Sequence, residues 1–128
     1  MHARPVRGKR ILIVEDDAEV AAALVQLLGI DHHKSDTAPD GALALDQLTG
    51  SAYDFILSDI KMPRVDGPAF YRELERQHPR MLPRLVFYTG DLESTDTQEF
   101  LEATGARCVE KPVTLAEIRR VLREILGD

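Results

Sequence analysis

The sequence predicts an α/β fold: a doubly wound (βα)5 three-layer sandwich with parallel strands in the order 2-1-3-4-5. Two observations carry that prediction. Short continuous apolar runs alternate five times with segments whose apolar residues recur at helical spacing. The length of 128 residues suits one domain with one such sheet, and the 44% hydrophobic content is enough for a core on both of its faces.

The elements follow in order. Ile11–Val14 is apolar and rich in β-branched residues, as a strand buried on both faces should be. Val20, Leu24, Leu27 and Leu28 then share one helical face, and Gly29 offers a stop. The stretch from His32 to Ala38 is weakly strand-like. Pro39-Asp40-Gly41 opens a helix carrying Leu43, Leu45 and Leu48 that ends near Gly50. Tyr53–Ser58 is the third strand, with Asp59 at its end. A loop from Pro63 to Gly67 precedes a helix with Pro68 at its first position, running through Leu74 to His78. Pro79 and Pro83 interrupt the chain before the strand Leu85–Tyr88 and the step Thr89-Gly90. A polar helix around Phe100-Leu101 closes at Gly105, and Arg107–Glu110 is the fifth strand. Leu115, Ile118, Val121, Leu122 and Ile125 mark the last helix. The expected architecture is flavodoxin-like.

Composition excludes several classes. A net charge of -6 argues against a general nucleic-acid surface. The short basic segment Arg4, Arg7, Lys9 and Arg10 is read as solvated tail or linker, not as a nucleic-acid arm, with the tail bounded at residues 1–8 and the domain running over 9–128. No apolar run approaches the ~18 residues of a membrane span, and no signal peptide is evident, so the expected location is the cytoplasm. The single cysteine, Cys108, permits no internal disulfide and is read as a small buried apolar residue.

In this strand order, ligands bind beyond the carboxyl ends of the strands, where the order reverses. Glu15-Asp16-Asp17 follow the first strand, Asp59 the third, Thr89 the fourth and Lys111 the fifth. Carboxylates crowded into one crevice call for a cation, and oxygen-only ligands favour Mg²⁺. A lysine and a hydroxyl beside it make a phosphoryl-binding arrangement, with Asp59 as candidate nucleophile. Charge alone does not decide which of the three consecutive acids holds the ion.

These residues resemble the response regulator receiver domains of two-component signalling. The resemblance runs from Lys9 to Leu126 and rests on ILIVEDD, YDFILSDIKMPRVDG, VFYTG and VEKP. Asp59, Met62-Pro63 and Asp66-Gly67 form its most specific motif. It implies that Asp59 is the phosphoacceptor and that Thr89 and Lys111 hold the phosphoryl oxygens. It implies Mg²⁺ bound by Asp16 and Asp59, by Glu15 through water, and by the backbone carbonyl of Lys61. Asp17 is then left to cap the first helix. A cis Lys111-Pro112 bond is also implied. So are a histidine kinase or histidine phosphotransfer protein as partner, no direct nucleic-acid or membrane contact, and a homodimer through the fourth helix, fifth strand and fifth helix. The domain would be no enzyme in its own right, only a participant in its own phosphorylation and dephosphorylation. The Thr-Gly-Asp stretch and the last helix are similar to receivers at the C-termini of hybrid histidine kinases, in which case the N-terminal residues are linker.

One position departs from that pattern: Cys108 stands where an aromatic residue is usual, and Tyr88 is expected to face away from Thr89. Lys61 and Asp91 are expected to pair across the mouth of the site. His32 and His33 read as surface histidines, and His78 as a residue favouring a helix C-terminus. The alternative enzyme class is a haloacid-dehalogenase-like aspartyl phosphatase, but that class wants a second Asp two residues after the nucleophile, where Lys61 stands. A flavodoxin-like FMN module would want Ser, Thr and Gly where three acids follow the first strand.

Overall fold

The computed structural model describes residues 5–62 and 65–127; Arg4 of the basic segment and Pro63 of the motif lie outside them. The elements are β1 (Arg10–Val14), α1 (Ala18–Gly29), β2 (Lys34–Ala38), α2 (Gly41–Gly50), β3 (Phe55–Asp59), α3 (Gly67–Gln77), β4 (Leu85–Thr89), α4 (Thr95–Thr104), β5 (Arg107–Glu110) and α5 (Leu115–Leu126). The strands form one parallel sheet in the order β2-β1-β3-β4-β5, as predicted.

Side chains alternate across each strand, so the sheet feeds two cores. Leu12, Val14, Ile56 and Phe87 lie against Ala44, Leu45 and Leu48 of α2 and Phe70 and Leu74 of α3. Ile11, Ile13, Phe55, Leu57, Val86, Tyr88 and Val109 lie against Leu24 and Leu28 of α1 and Ile118, Val121 and Leu122 of α5. The register is continuous, with Val14 beside Ser58, Asp59 beside Tyr88, and Thr89 beside Glu110. The strands therefore end level with one another, and whatever follows them shares one edge.

Side-chain oxygens start the helices. Asp17 caps α1 by accepting from the Glu19 and Val20 N–H groups, the role expected of the third acid. Asp40, Asp66 and Thr114 do the same for α2, α3 and α5. Gly67 is required by space: its N–H donates to the Ile60 carbonyl at 2.7 Å, and a Cβ there would sit 2.9 Å from that same oxygen. Gly105 ends α4 at φ 68°, a left-handed conformation that glycine adopts without strain.

Several expectations need correction. His33 is buried, not exposed, because β2 begins only at Lys34. His32 takes φ 64° in the preceding turn, and His33 turns inward to accept the Lys9 N–H on Nδ1 at 3.0 Å. Its Nε2 is buried without a hydrogen-bond partner among the described residues. Leu43 is exposed on the outer side of α2. Val20 and Leu27 are only half-buried, and Ala21 completes the buried face of α1 with Leu24 and Leu28. Pro79 and Pro83 do not leave an irregular loop but a short 3₁₀ helix over Pro79–Arg84. His78, by contrast, stands at the end of α3 as expected, its N–H donating to the Leu74 carbonyl.

Candidate functional site

Oxygens of Glu15, Asp16 and Asp59 lie within 4.8 Å of one another. The strand ends account for this. Glu15 continues β1, its N–H donating to the Ala38 carbonyl at 2.9 Å, while Asp59 is the last residue of β3. Glu15 and Asp59 are buried and Asp16 is exposed, so the cluster opens to solvent on the Asp16 side. It borders a cleft of about 520 Å³ lined also by Lys61, Met62, Asp66, Thr97 and Phe100.

Donors surround Asp59. The Lys111 ammonium donates to Oδ2 at 3.0 Å, and the Lys61 N–H donates to Oδ1 at 3.2 Å. Lys111 is steadied by its own backbone, whose N–H donates to the Thr89 carbonyl at 2.8 Å. The Lys111-Pro112 bond is cis, as the resemblance implied. Thr89 is buried, and its hydroxyl accepts the Asp91 N–H at 3.1 Å. Across the mouth, the exposed Lys61 ammonium and Asp91 carboxylate pair at 2.7 Å, as expected from their charges. That contact raises the Lys61 pKa.

Sequence reasoning missed Tyr88. Strand alternation does point it away from Thr89, but that opposite face carries Glu15 and Lys111. The Tyr88 hydroxyl donates to Glu15 Oε1 at 2.6 Å, and the Lys111 ammonium lies 5.3 Å from the centre of its ring. Alternation gives a side chain's face but not its reach, so no signal in the sequence marked this contact. The other Glu15 oxygen, Oε2, accepts the Asp17 N–H at 3.0 Å. Burial raises the Glu15 pKa; the Tyr88 and Asp17 hydrogen bonds oppose the shift, and the Asp59 charge adds to it. Burial and then the Glu15 carboxylate push the Tyr88 pKa up, so its hydroxyl stays a donor.

Cys108 is half-buried beside Phe87 on the α4 face of the sheet. Burial, and then the charge of Asp59, push its thiol up to about 11, which suits an inert packing residue. The aromatic contacts on this face are made instead by Phe100 of α4, edge-on to Phe87 at 5.5 Å and to Tyr71 at 5.7 Å.

The donor set suits a hard divalent cation. Three carboxylates supply oxygen alone, and the exposed side of the cluster leaves room for retained water, the pattern Mg²⁺ prefers. Asp17 is committed to its helix cap, which leaves Glu15 and Asp16 as the pair beside Asp59.

Comparisons with known proteins identify relatives of the chain. A family model described as the response regulator receiver domain matches residues 11–123. The transcriptional regulatory protein TcrA of Mycobacterium tuberculosis is 32% identical over 120 residues, spanning 94% of this chain and 47% of that protein. The sensor histidine kinase RcsC of Salmonella typhi is 35% identical over 112 residues, 88% of this chain and 12% of that protein. The chain thus spans less than half the length of these relatives. Among solved structures, the receiver domain of a sensor histidine kinase from Pseudomonas aeruginosa PAO1 superposes with a TM-score of 0.83 at 28% identity. The match covers 94% of this chain and 99% of that one, which holds a magnesium ion in its active-site cleft.

Proposed function

The chain belongs to the response regulator receiver family of two-component signalling, and from that premise we propose that Asp59 is its phosphoacceptor. The observation that carries the proposal is the Lys111–Asp59 contact at 3.0 Å inside a cluster of three carboxylates. A lone acid paired with lysine is an ordinary ion pair; two further acids beside it make an ion site next to a nucleophile.

Asp16 and Asp59 would hold Mg²⁺ directly and Glu15 through water, from the carboxylate cluster they form, and the Lys61 carbonyl would add a ligand. When bound, the ion offsets the charge on the acids and on the phosphoryl oxygens. An Asp59 oxygen attacks the phosphorus of a phosphohistidine on a histidine kinase or phosphotransfer protein. An O–P bond forms as the P–N bond breaks, and the electron pair leaves with the imidazole nitrogen. Lys111 turns its ammonium from Asp59 to a phosphoryl oxygen, and the Thr89 hydroxyl donates a hydrogen bond to another. Water later attacks the phosphorus, releasing phosphate and restoring the carboxylate. The chain supplies position and charge and turns over no substrate of its own. The relatives named as sensor histidine kinases support a partner of that class. Among the described residues no helix is long and apolar enough to cross a membrane, in keeping with action on the cytoplasmic side. Pairing of two copies through α4, β5 and α5 remains part of the proposal. The family match and Lys61 both disfavour the aspartyl phosphatase reading.

Incubation with acetyl phosphate and Mg²⁺, followed by intact mass, tests the assignment. The expected result is a phosphate-sized gain in the wild type and none in Asp59→Asn. A gain in both proteins means another residue is the acceptor.

A further inference from the structure

We propose that Tyr88 is a positioning residue of this site, its hydroxyl fixing the Glu15 carboxylate so that this acid meets the metal ion through water at a set orientation. The inference rests on the divalent-ion reading above. Glu15 is 4% exposed, and each of its oxygens has one donor: Tyr88 on Oε1 at 2.6 Å and the Asp17 N–H on Oε2 at 3.0 Å. Two donors on two oxygens stop the carboxylate from rotating about its terminal bond. A carboxylate oxygen accepts about two hydrogen bonds, so each keeps a free acceptor site. Those sites can accept from a water held by the ion.

The anchor is itself rigid. Tyr88 is fully buried on β4, an interior strand between β3 and β5, opposite Asp59 in register and in one buried cluster with Ile13, Leu24, Leu57 and Val109. The face of the same ring lies 5.3 Å from the Lys111 ammonium, which bonds Asp59. One side chain therefore touches the acid on one flank of Asp59 and supports the cation on the other. Groups that orient metal ligands from behind are commonly worth about tenfold or more in affinity. Phenylalanine would keep the ring beneath Lys111 and remove only the anchor on Glu15.

Calorimetric Mg²⁺ titration of the full chain, without any phosphodonor, tests this in wild type, Tyr88→Phe, Glu15→Ala and the double variant. Tyr88→Phe is expected to bind Mg²⁺ roughly tenfold more weakly, and the double variant no more weakly than Glu15→Ala alone. Binding by Tyr88→Phe within twofold of wild type, or tighter, overturns the proposal. So does a double variant weakened by the product of the two single effects, which would mean that Tyr88 acts elsewhere. A wild type that binds no Mg²⁺ overturns the ion reading itself and this inference with it. Should Tyr88→Phe not fold, wild type labelled with 3-fluorotyrosine gives an independent readout. Its Tyr88 resonance, assigned with Tyr53→Phe and Tyr71→Phe, is expected to shift on Mg²⁺ addition while that of Tyr53 stays put. An unmoved Tyr88 resonance overturns the proposal.

Discussion

Replacing Asp16 by Asn tests whether the acid cluster is held together against its own repulsion. Two unit charges at the 4.8 Å limit within which these oxygens lie repel by about 3.5 kcal/mol at an effective dielectric of 20, and by about 0.9 kcal/mol in bulk water. Asp16 is exposed and Lys111 already offsets part of the Asp59 charge, so the net relief sits toward the lower limit, about 1–2 kcal/mol. In EDTA, Asp16→Asn should therefore melt higher than wild type, by roughly 4–8 °C for a domain of this size. With Mg²⁺ at ten times its Kd, wild type should gain about 1.4 kcal/mol and the variant almost nothing. The order of the two melting temperatures should narrow or reverse. Calorimetric or circular-dichroism melts in both buffers measure this. A variant that melts below wild type in EDTA, or one that gains as much from Mg²⁺, would refute the reasoning.

Three other outcomes are expected. Arg119 of α5 donates twice to the buried Asp31, at 2.9 Å each, and this pairing holds the Asp31 carboxyl below its usual range. Arg119→Ala should lower the melting temperature by roughly 5 °C at pH 7. The loss should shrink as pH falls below 3.8, because a carboxylate with a depressed pKa contributes its stability only while ionised. Burial, foremost, holds His33 below its usual 6.5, so the unfolded chain takes up that proton first. Stability should fall as pH drops through 6.5, and urea melts of His33→Asn should lack that component. Lys61→Ala removes the pair with Asp91 at the mouth and should shorten the phospho-Asp59 half-life by a few-fold, followed by loss of the phosphate-sized mass; an unchanged half-life would discard the gating role.

The sheet was legible because its five strands are apolar runs whose ends carry their chemistry. ILIV running into three acids, and FILSD ending on Asp59, state both the strand and its tip. What was illegible depended on turns and on reach. His33 was misread because its burial depends on a left-handed residue at His32, where strand periodicity does not apply. Tyr88 was assigned the right face of β4, but its contact with Glu15 depends on the length of a ring crossing to the next-but-one strand. Nothing in the sequence pairs Arg119 with Asp31, 88 residues away; only the packing of α5 against α1 brings them together.

The close approach of Gly67 to Ile60 has a consequence for mutagenesis. One missing methyl group sets how sharply the chain doubles back after Asp59, and even alanine would collide with a carbonyl seven residues upstream. A saturation library at position 67 would read as though this residue took part in the chemistry. Its contribution is purely one of clearance.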